Sequence, residues 1–423
     1  MAVSEADRDG LAAHMADASV CVGPASPAGS YLNINALITA AKGVGADAIH
    51  PGYGFLAENA DFAAACAENG VIFIGATADN ILQMGDKLRA REVARRCGVP
   101  TVPGTAHLKS CEEAAEAAAG MGYPVLLKAA AGGGGRGIKV VENAAALKDL
   151  FNSAAAEARD AFNDDRLYME RYVPRARHIE VQILGDGAGQ VIHLGERDCS
   201  VQRRKQKLIE ETPCTVLPPD LREKICQAAV DLGRFINYRN VGTVEFLADL
   251  ENGQFYFLEV NTRIQVEHPV TEMTTGVDLV AEGIRLAGGA PFTLKQEDIT
   301  FRGHAIEFRI NAEDPDRNFA PVPGRVGAWS VPHMPGIRID SHCYPGYLIS
   351  PYYDSLLAKV IIHGSDRDDA LALARFALSR IKVSGVKTTI PFHLSVLSQP
   401  DFVNQKIHTQ WVEDVLQPAE DTQ

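Results

Sequence analysis

Short apolar runs alternate with alanine-rich amphipathic stretches through the first part of the chain. Ala48-Ile49 and Val71-Ile-Phe-Ile74 read as strands, and residues 34–42 and 59–69 as helices with one apolar face. That alternation predicts a doubly wound α/β unit with a parallel sheet over residues 1–80. His50-Pro-Gly-Tyr-Gly54 follows the carboxyl end of a strand, where open sheets of this kind bind ligands. Residues 80–97 read as one basic helix, ended by Gly98-Val-Pro100 and Pro103. Residues 105–172 predict a compact α+β unit around a glycine cluster. From about residue 175 the apolar runs lengthen, at 180–184, 190–194, 242–247 and 254–260. They predict a large, mostly antiparallel sheet with helix 221–236 packed on it. Residues 417–423 read as a frayed tail.

The sharpest alternation is Phe255-Tyr-Phe-Leu-Glu-Val-Asn-Thr-Arg-Ile-Gln-Val-Glu267. Side chains on a strand alternate faces, so Glu259, Asn261, Arg263, Gln265 and Glu267 share one side while the chain stays extended. Leu258, Val260, Ile264 and Val266 share the other. Hard cations such as Mg²⁺ take oxygen ligands, commonly one or two carboxylates plus substrate phosphates. Glu259 and Asn261 are therefore candidate Mg²⁺ ligands, and Arg263 and Glu267 suit an anionic substrate and a general base. A solvated polar face is the competing reading of this strand taken alone.

The glycine cluster Gly132-Gly-Gly-Gly135-Arg136-Gly137 satisfies G-x-G-x-x-G formally, but that fingerprint needs a helix directly after it. Here Pro124-Val-Leu-Leu-Lys128 precedes it and the β-like Ile138-Lys-Val-Val141 follows. Strand, glycine loop and strand make a hairpin, so the dinucleotide reading fails on context. No Gly-Lys-Ser/Thr follows, which removes the Walker A reading. A glycine-rich hairpin tip instead suits a flap over nucleotide phosphates, because glycine lets backbone N–H groups converge on them. Lys128 would add a compact charge there. A protein kinase is set aside because His-Arg-Asp and Asp-Phe-Gly are missing. The run Glu196-Arg-Asp-Cys-Ser-Val-Gln-Arg-Arg-Lys-Gln-Lys-Leu-Ile-Glu-Glu211 is either a solvated charged face or a cation cluster for phosphate charge.

Composition narrows the field. A chain of 423 residues, 46% hydrophobic, is long enough for two or three domains with substantial cores. A net charge of −13 argues against a nucleic-acid surface. Eight cysteines stand singly, without metal-ligand spacing, which fits a reducing cytoplasm. No apolar run approaches the roughly 18 residues of a membrane span, and no signal peptide opens the chain.

Taken together, His50-Pro-Gly-Tyr-Gly-Phe-Leu56, Met84-Gly-Asp-Lys87, Lys128 with the glycine loop, Glu196-Arg-Asp-Cys-Ser200, Glu259-Val-Asn-Thr-Arg-Ile-Gln-Val-Glu-His-Pro269 and residues 304–314 resemble biotin carboxylase. This family is the ATP-grasp component of biotin-dependent acyl-CoA carboxylases. The resemblance runs in order from about residue 3 to 415. It implies a pre-ATP-grasp domain at 1–80, an ATP-grasp domain at 81–300 with a mobile lid at about 105–172, and a C-terminal biotin carboxylase domain at 301–423.

The resemblance also implies roles. Lys87 and Lys128 hold ATP phosphates, with Gly134 and Gly135 closing over them. Glu170, Arg171, Tyr172 and Val173 meet the adenine edge, and His178, Gln202 and Lys205 complete the nucleotide pocket. Glu245, Glu259 and Asn261 ligate Mg²⁺ or Mn²⁺, with two ions expected. Bicarbonate rests against Lys207, Arg263, Gln265 and the backbone of Val266. Glu267 is the base that makes bicarbonate nucleophilic toward the γ-phosphorus, giving carboxyphosphate and ADP. Carboxyphosphate then yields CO₂ and phosphate, and the phosphate takes the N1′ proton of biotin. Arg309 stabilises the ureido anion, and Tyr53 lines the biotin side. A lid is expected because water destroys carboxyphosphate.

Two departures from the family pattern stand out. Lys205 occupies a position where the family commonly carries His, which keeps a cation but changes reach and removes pH sensitivity. Met1 corresponds to a point after the family's first β-α unit, so roughly thirty residues of the pattern are absent by analogy, through either a misassigned start codon or a truncated form. An exposed strand edge, lower stability and a weakened homodimer are the expectation for such a form. With no Ala-Met-Lys-Met segment in the chain, the biotin carboxyl carrier protein and carboxyltransferase are expected as separate partners. Alternatives are a non-catalytic ATP-binding paralogue and another ATP-grasp carboxylate–amine ligase.

Overall fold

The computed structural model describes residues 1–131 and 137–416. The expected phosphate flap at Gly134 and Gly135 and the tail 417–423 lie outside the described residues. In the N-terminal unit, helices α1 (Ile34–Gly43) and α2 (Ala60–Glu68) start where Asn33 and Asn59 cap them. Their side-chain oxygens accept from Ala36 N at 3.0 Å and Phe62 N at 2.7 Å, satisfying donors a helix start leaves open. Ala2–Val3 pairs with Val20–Cys21, and Ala48–Ile49 with Ile72–Phe73, both parallel. These are two separate pairs rather than the single sheet expected. Strands of two residues are too short to extend a ladder, and the helices bury Ile38, Phe62, Cys66 and Phe73 instead.

The single basic helix expected over 80–97 is two, α3 (Ala78–Gly85) and α4 (Lys87–Arg96). Asp86 between them is extended, its carboxylate accepting from Arg89 N at 2.9 Å and from Arg166 at 2.7 Å. A short acidic side chain that bonds its own backbone competes with helix continuation. The break matters because it sets Lys87 at the first turn of α4.

The unit expected at 105–172 has α5 (Cys111–Met121) and α6 (Ala144–Phe162) packed on three strands. Strand β1 (Val125–Ala129) lies between β2 (Ile138–Val141) and β3 (Leu167–Arg171), antiparallel to both. The strands flanking the glycine cluster therefore form a hairpin, as their β-like composition predicts. Val125, Leu127, Leu147, Leu167 and Met169 give this unit a core of its own.

Eight antiparallel strands carry the rest: β4 (Arg177–Asp186), β5 (Val191–Arg203), β6 (Gln206–Thr212), β7 (Arg239–Asp249), β8 (Gln254–Asn261), β9 (His304–Asn311), β10 (Ile337–Ser341) and β11 (Leu356–Gly364). Their order is β8-β7-β4-β5-β6-β9-β11-β10. Helix α7 (Pro219–Phe235) packs Ile225, Ala229 and Val230 onto Ile179, Val181 and Ile183. The expected strand 190–194 runs on to Arg203 because the charges beyond it are not solvated. Glu196, Arg197 and Asp198 are buried there, each with ionic partners. The β6–β9 ladder continues the sheet across residue 300, so one surface displays residues from both parts.

Candidate functional site

Charge, not an apolar pocket, organises the centre of this sheet. Five adjacent strands, β8-β7-β4-β5-β6, project carboxylates and cations to a common face. Register explains it, because Glu245 on β7 lies opposite both Glu180 on β4 and Glu259 on β8, and directly opposed residues share a face. The Lys207 ammonium on β6 sits among three carboxylates, 2.6 Å from Glu180, 2.7 Å from Glu245 and 2.9 Å from Glu267. Burial opposes the charge on Lys207, yet those carboxylates raise its pKa well above the ordinary value. Burial likewise pushes Glu267 up, but Lys207, Arg309 and Arg197 overcome it and hold the carboxyl well below its usual range. The neighbours of Lys207 and Glu267 thus hold one as the cation and the other as the anion.

The signature segment reaches this centre by leaving the strand. Strand β8 ends at Asn261, and a register shift beside Glu245 and Phe246 has already changed its phase. The shared face, expected for as long as the chain stays extended, therefore stops at Asn261, where the strand ends. Polar residues still converge, through bonds rather than through pleat. Arg263 donates to Asn261 at 3.1 Å and to Gln265 at 2.8 Å, and Gln265 donates to Glu245 at 3.2 Å. Glu58 of the N-terminal unit fixes the turn, accepting from Thr262 N at 3.0 Å and Arg263 Nε at 2.9 Å. The carbonyl of Val266 accepts from Lys359 at 2.9 Å. Helix α8 (His268–Thr275) starts directly after Glu267.

Arg309 on β9 bridges two carboxylates, 2.7 Å from Glu210 and 2.9 Å from Glu267. Tyr53, exposed on the loop after Ile49, senses the same field: burial, then Asp354, raise its hydroxyl pKa, against Arg309.

The nucleotide candidates form a second group, where strands β1 and β3 meet helix α4. Lys128 on β1 is buried against Glu170 on β3, and Arg91 of α4 shares that carboxylate. With Glu170 divided between two cations, burial and repulsion from Lys87, Arg91 and Lys205 pull the Lys128 ammonium down to about 7. Lys87 lies 3.9 Å from Glu259. Lys205 is exposed at the tip of the β5–β6 hairpin, where Arg204 and Lys205 both take positive φ, 47° and 64°. Partial desolvation and repulsion from Lys87 pull it down to about 8. Gln202 is buried opposite Lys207, and His178 lies 3.0 Å from Glu245. Arg171 donates to Tyr256 at 2.9 Å, Val173 packs on Val102, Ala176 and Tyr256, and the Tyr172 hydroxyl bonds Gln410.

A divalent cation fits Glu245, Glu259 and Asn261 on chemical grounds. Burial and then the charge of Glu245 push the Glu259 carboxyl up, a repulsion that a hard cation between oxygen ligands relieves. A second cluster of ligand atoms, from His178, Glu180 and Glu245, lies within 4.8 Å.

Several functional side chains escaped the sequence reading. Glu58 and Lys359 come from segments distant in the chain, and no spacing rule links them to the site. Arg197 does sit in the charged run; fully buried, it bonds Glu180 at 2.5 Å, Gln182 at 2.7 Å and Thr271 at 3.0 Å. The ends of the run, with Glu196, Arg197, Asp198, Glu210 and Glu211, are therefore interior, while its middle at 204–206 is exposed.

Comparison with known proteins finds matches over nearly all of the chain. A biotin carboxylase N-terminal domain model matches residues 1–81, a carbamoyl-phosphate synthase L chain ATP-binding domain model 86–295, and a biotin carboxylase C-terminal domain model 307–414. The chain is 52% identical to a biotin carboxylase of Nostoc over 97% of its length and 92% of the relative's. It is 50% identical to biotin carboxylase 1 of Bacillus subtilis, covering 97% and 91%. Among solved structures, a Campylobacter jejuni biotin carboxylase–β,γ-ATP complex aligns with a TM-score of 0.95 at 47% identity, covering 97% and 92%. The biotin carboxylase domain of a Hydrogenobacter thermophilus 2-oxoglutarate carboxylase, with MgADP, ADP and bicarbonate, aligns at 0.94 and 48%, covering 98% and 91%.

Proposed function

The chain belongs to the biotin carboxylase family, ligases that carboxylate biotin with ATP and bicarbonate, and from that premise we propose how its residues divide the work. The observation that carries the reading is the Glu267 carboxylate held between Lys207 and Arg309. One cation belongs to the bicarbonate side and the other to the biotin side, so a single carboxylate faces both half-steps.

Lys87 and Lys128 meet the phosphates of ATP. Glu170, Arg171, Tyr172, Val173, His178, Gln202 and Lys205 form the adenosine side. Glu245, Glu259 and Asn261 hold Mg²⁺, or Mn²⁺, as one or two ions. When bound, the metal neutralises phosphate charge as it shifts to the leaving ADP. Bicarbonate lies against Lys207, Arg263, Gln265 and the Val266 backbone, and Glu267 takes its proton. A base works best with a pKa near the operating pH. Bicarbonate competes for the cations that depress Glu267, and so raises the base toward its working range as it binds. Carboxyphosphate forms, then gives CO₂ and phosphate, which removes the N1′ proton of biotin. Arg309 stabilises the resulting ureido anion, with Tyr53 beside it.

The chain works in three parts, 1–80, 81–300 and 301–423, with the lid near 105–172. A biotin carboxyl carrier protein presents the biotin, a carboxyltransferase uses the product, and a chain that carries the family's first β-α unit pairs as a homodimer in the cytoplasm. None of its helices, among the described residues, is long and apolar enough to cross a membrane.

Arg309→Ala separates the two half-steps. Bicarbonate-dependent ADP release is retained in part, whereas carboxybiotin falls by about 10²-fold, the usual cost of removing one preorganised charge from a transition state. Measuring ADP and carboxybiotin in the same reaction tests this. Parallel loss of both would reassign Arg309 to the bicarbonate step.

Nucleotide binding is also tied to protons. Lys128 near 7 and Lys205 near 8 are partly neutral at physiological pH. Phosphate favours the ammonium forms, so ATP binding takes up protons and its affinity falls as pH rises through about 7 to 8. Calorimetric titrations in buffers of different ionisation enthalpy read the uptake directly. Equal binding enthalpies in all buffers would remove both lysines from the phosphate site.

A further inference from the structure

Beneath the reacting carboxylate, Glu307 stands directly opposite Glu210 across the β9–β6 ladder. Both are fully buried. Neither oxygen of Glu307 has a hydrogen-bond partner, and neither does Oε2 of Glu210. The other oxygen of Glu210 accepts from Arg309 at 2.7 Å. Three buried carboxyl oxygens on two facing residues thus have no donor, which is costly unless something supplies one.

The surrounding cations are already engaged. Arg309 is divided between Glu210 and Glu267. Lys359, on the neighbouring strand β11, donates to Val266 O and lies 3.6 Å from Asp340 of β10. Lys207 holds its three carboxylates. Arg338 of β10 is bound to Asp340 and to Glu272 of helix α8, and His268 of that helix bonds Gln265 O. No free positive charge remains among these groups for a Glu307 anion.

We propose that Glu307 is a positioning residue: as a protonated acid it donates a hydrogen bond to Glu210, holding Glu210 as the anion that anchors Arg309. One proton then satisfies oxygens on both residues and leaves one negative charge, not two, behind the guanidinium. Burial points the same way. It pushes Glu307 well above the ordinary range against Lys359, with Glu210 and Glu267 adding repulsion, and lifts Glu210 to about 7 against Arg309. Two facing carboxyls in such surroundings titrate as a pair.

The consequence rests on the assignment of Arg309 to the biotin step. Losing the shared proton at alkaline pH adds a second charge behind Arg309 and draws it from the ureido anion. Carboxybiotin formed per ADP therefore falls with rising pH in the wild-type protein. Glu307→Gln keeps a donor and cannot ionise, so at neutral pH the ratio stays within about twofold and its alkaline decline disappears. Glu307→Leu removes the donor and lowers the ratio about tenfold. An infrared difference spectrum of wild type against Glu307→Gln should contain the carbonyl band of one protonated carboxylic acid. This band reports the proton whatever Arg309 does, whereas the Arg309→Ala assay tests the step assignment, so the two can fail separately. Absence of the band overturns the proposal, as does a Gln variant uncoupled as severely as the Leu variant or declining with pH as wild type does.

Discussion

Glu267→Gln is expected to lower bicarbonate-dependent ADP release by ~10²–10⁴, the usual cost of removing a general base. The substitution keeps size and one carbonyl oxygen, so the first turn of α8 and the contact to Lys207 survive. What changes is charge. The wild-type carboxylate is stabilised on both sides, by Lys207 and by Arg309 at 2.9 Å each, and the amide presents an N–H toward one of these cations. MgATP affinity should change less than threefold, because Glu245, Glu259 and the lysines of the nucleotide site remain. A filter-binding or calorimetric affinity beside a bicarbonate-dependent ADP assay separates the two quantities. Retained ADP release with wild-type bicarbonate dependence would mean that the proton goes elsewhere. Buried Glu180 is then the next carboxylate to examine, since it also touches Lys207 at 2.6 Å.

The site was legible where chemistry is written into adjacent residues. Glu259, Asn261, Arg263, Gln265 and Glu267 all reach one centre, as the polar alternation suggested, although the reason differs beyond Asn261. There the strand has ended, and hydrogen bonds among the side chains do what the pleat does before it. Glycine context was read correctly for a related reason: β-branched residues at 138–141 are local information, and they form β2 antiparallel to β1. Most of the misreadings have a common cause in long-range packing. Asp86 is a local N-cap signal that the reading of one continuous basic helix passed over, and nothing near it says that it will also receive Arg166 from eighty residues away. Nothing near Glu58 says that it will hold the turn after β8. The charged run 196–211 looked the same whether solvated or buried. Only the pairing of β5 with β4 and β6 decides that Arg197, Glu210 and Glu211 lie inside.

The cation at the centre of that interior gives the largest stability effect. Lys207→Met keeps the length and apolar stem but leaves Glu180, Glu245 and Glu267 facing one another without an ammonium. Removing one partner of a buried ionic group typically costs about 3–5 kcal/mol, and bicarbonate-dependent turnover should vanish with the lost anion contact. The pH dependence identifies the cause. In the wild-type protein Glu245 and Glu267 are depressed, despite burial, by Lys207 and their other cationic partners. Their stabilisation is therefore present above the unfolded carboxylate pKa and is lost as pH falls toward the folded values. In Lys207→Met the same carboxylates repel, so their folded pKa values rise above the unfolded ones. The folded variant then binds more protons than its unfolded chain, and its stability grows as pH falls. The gap in thermal midpoint between the two proteins should be widest near pH 8 and narrow steadily on acidification toward about 5, a range set by the unfolded value near 4.3. A gap that stayed constant across that range would mean that methionine costs stability through shape, and that the carboxylates around residue 207 are not held by its charge.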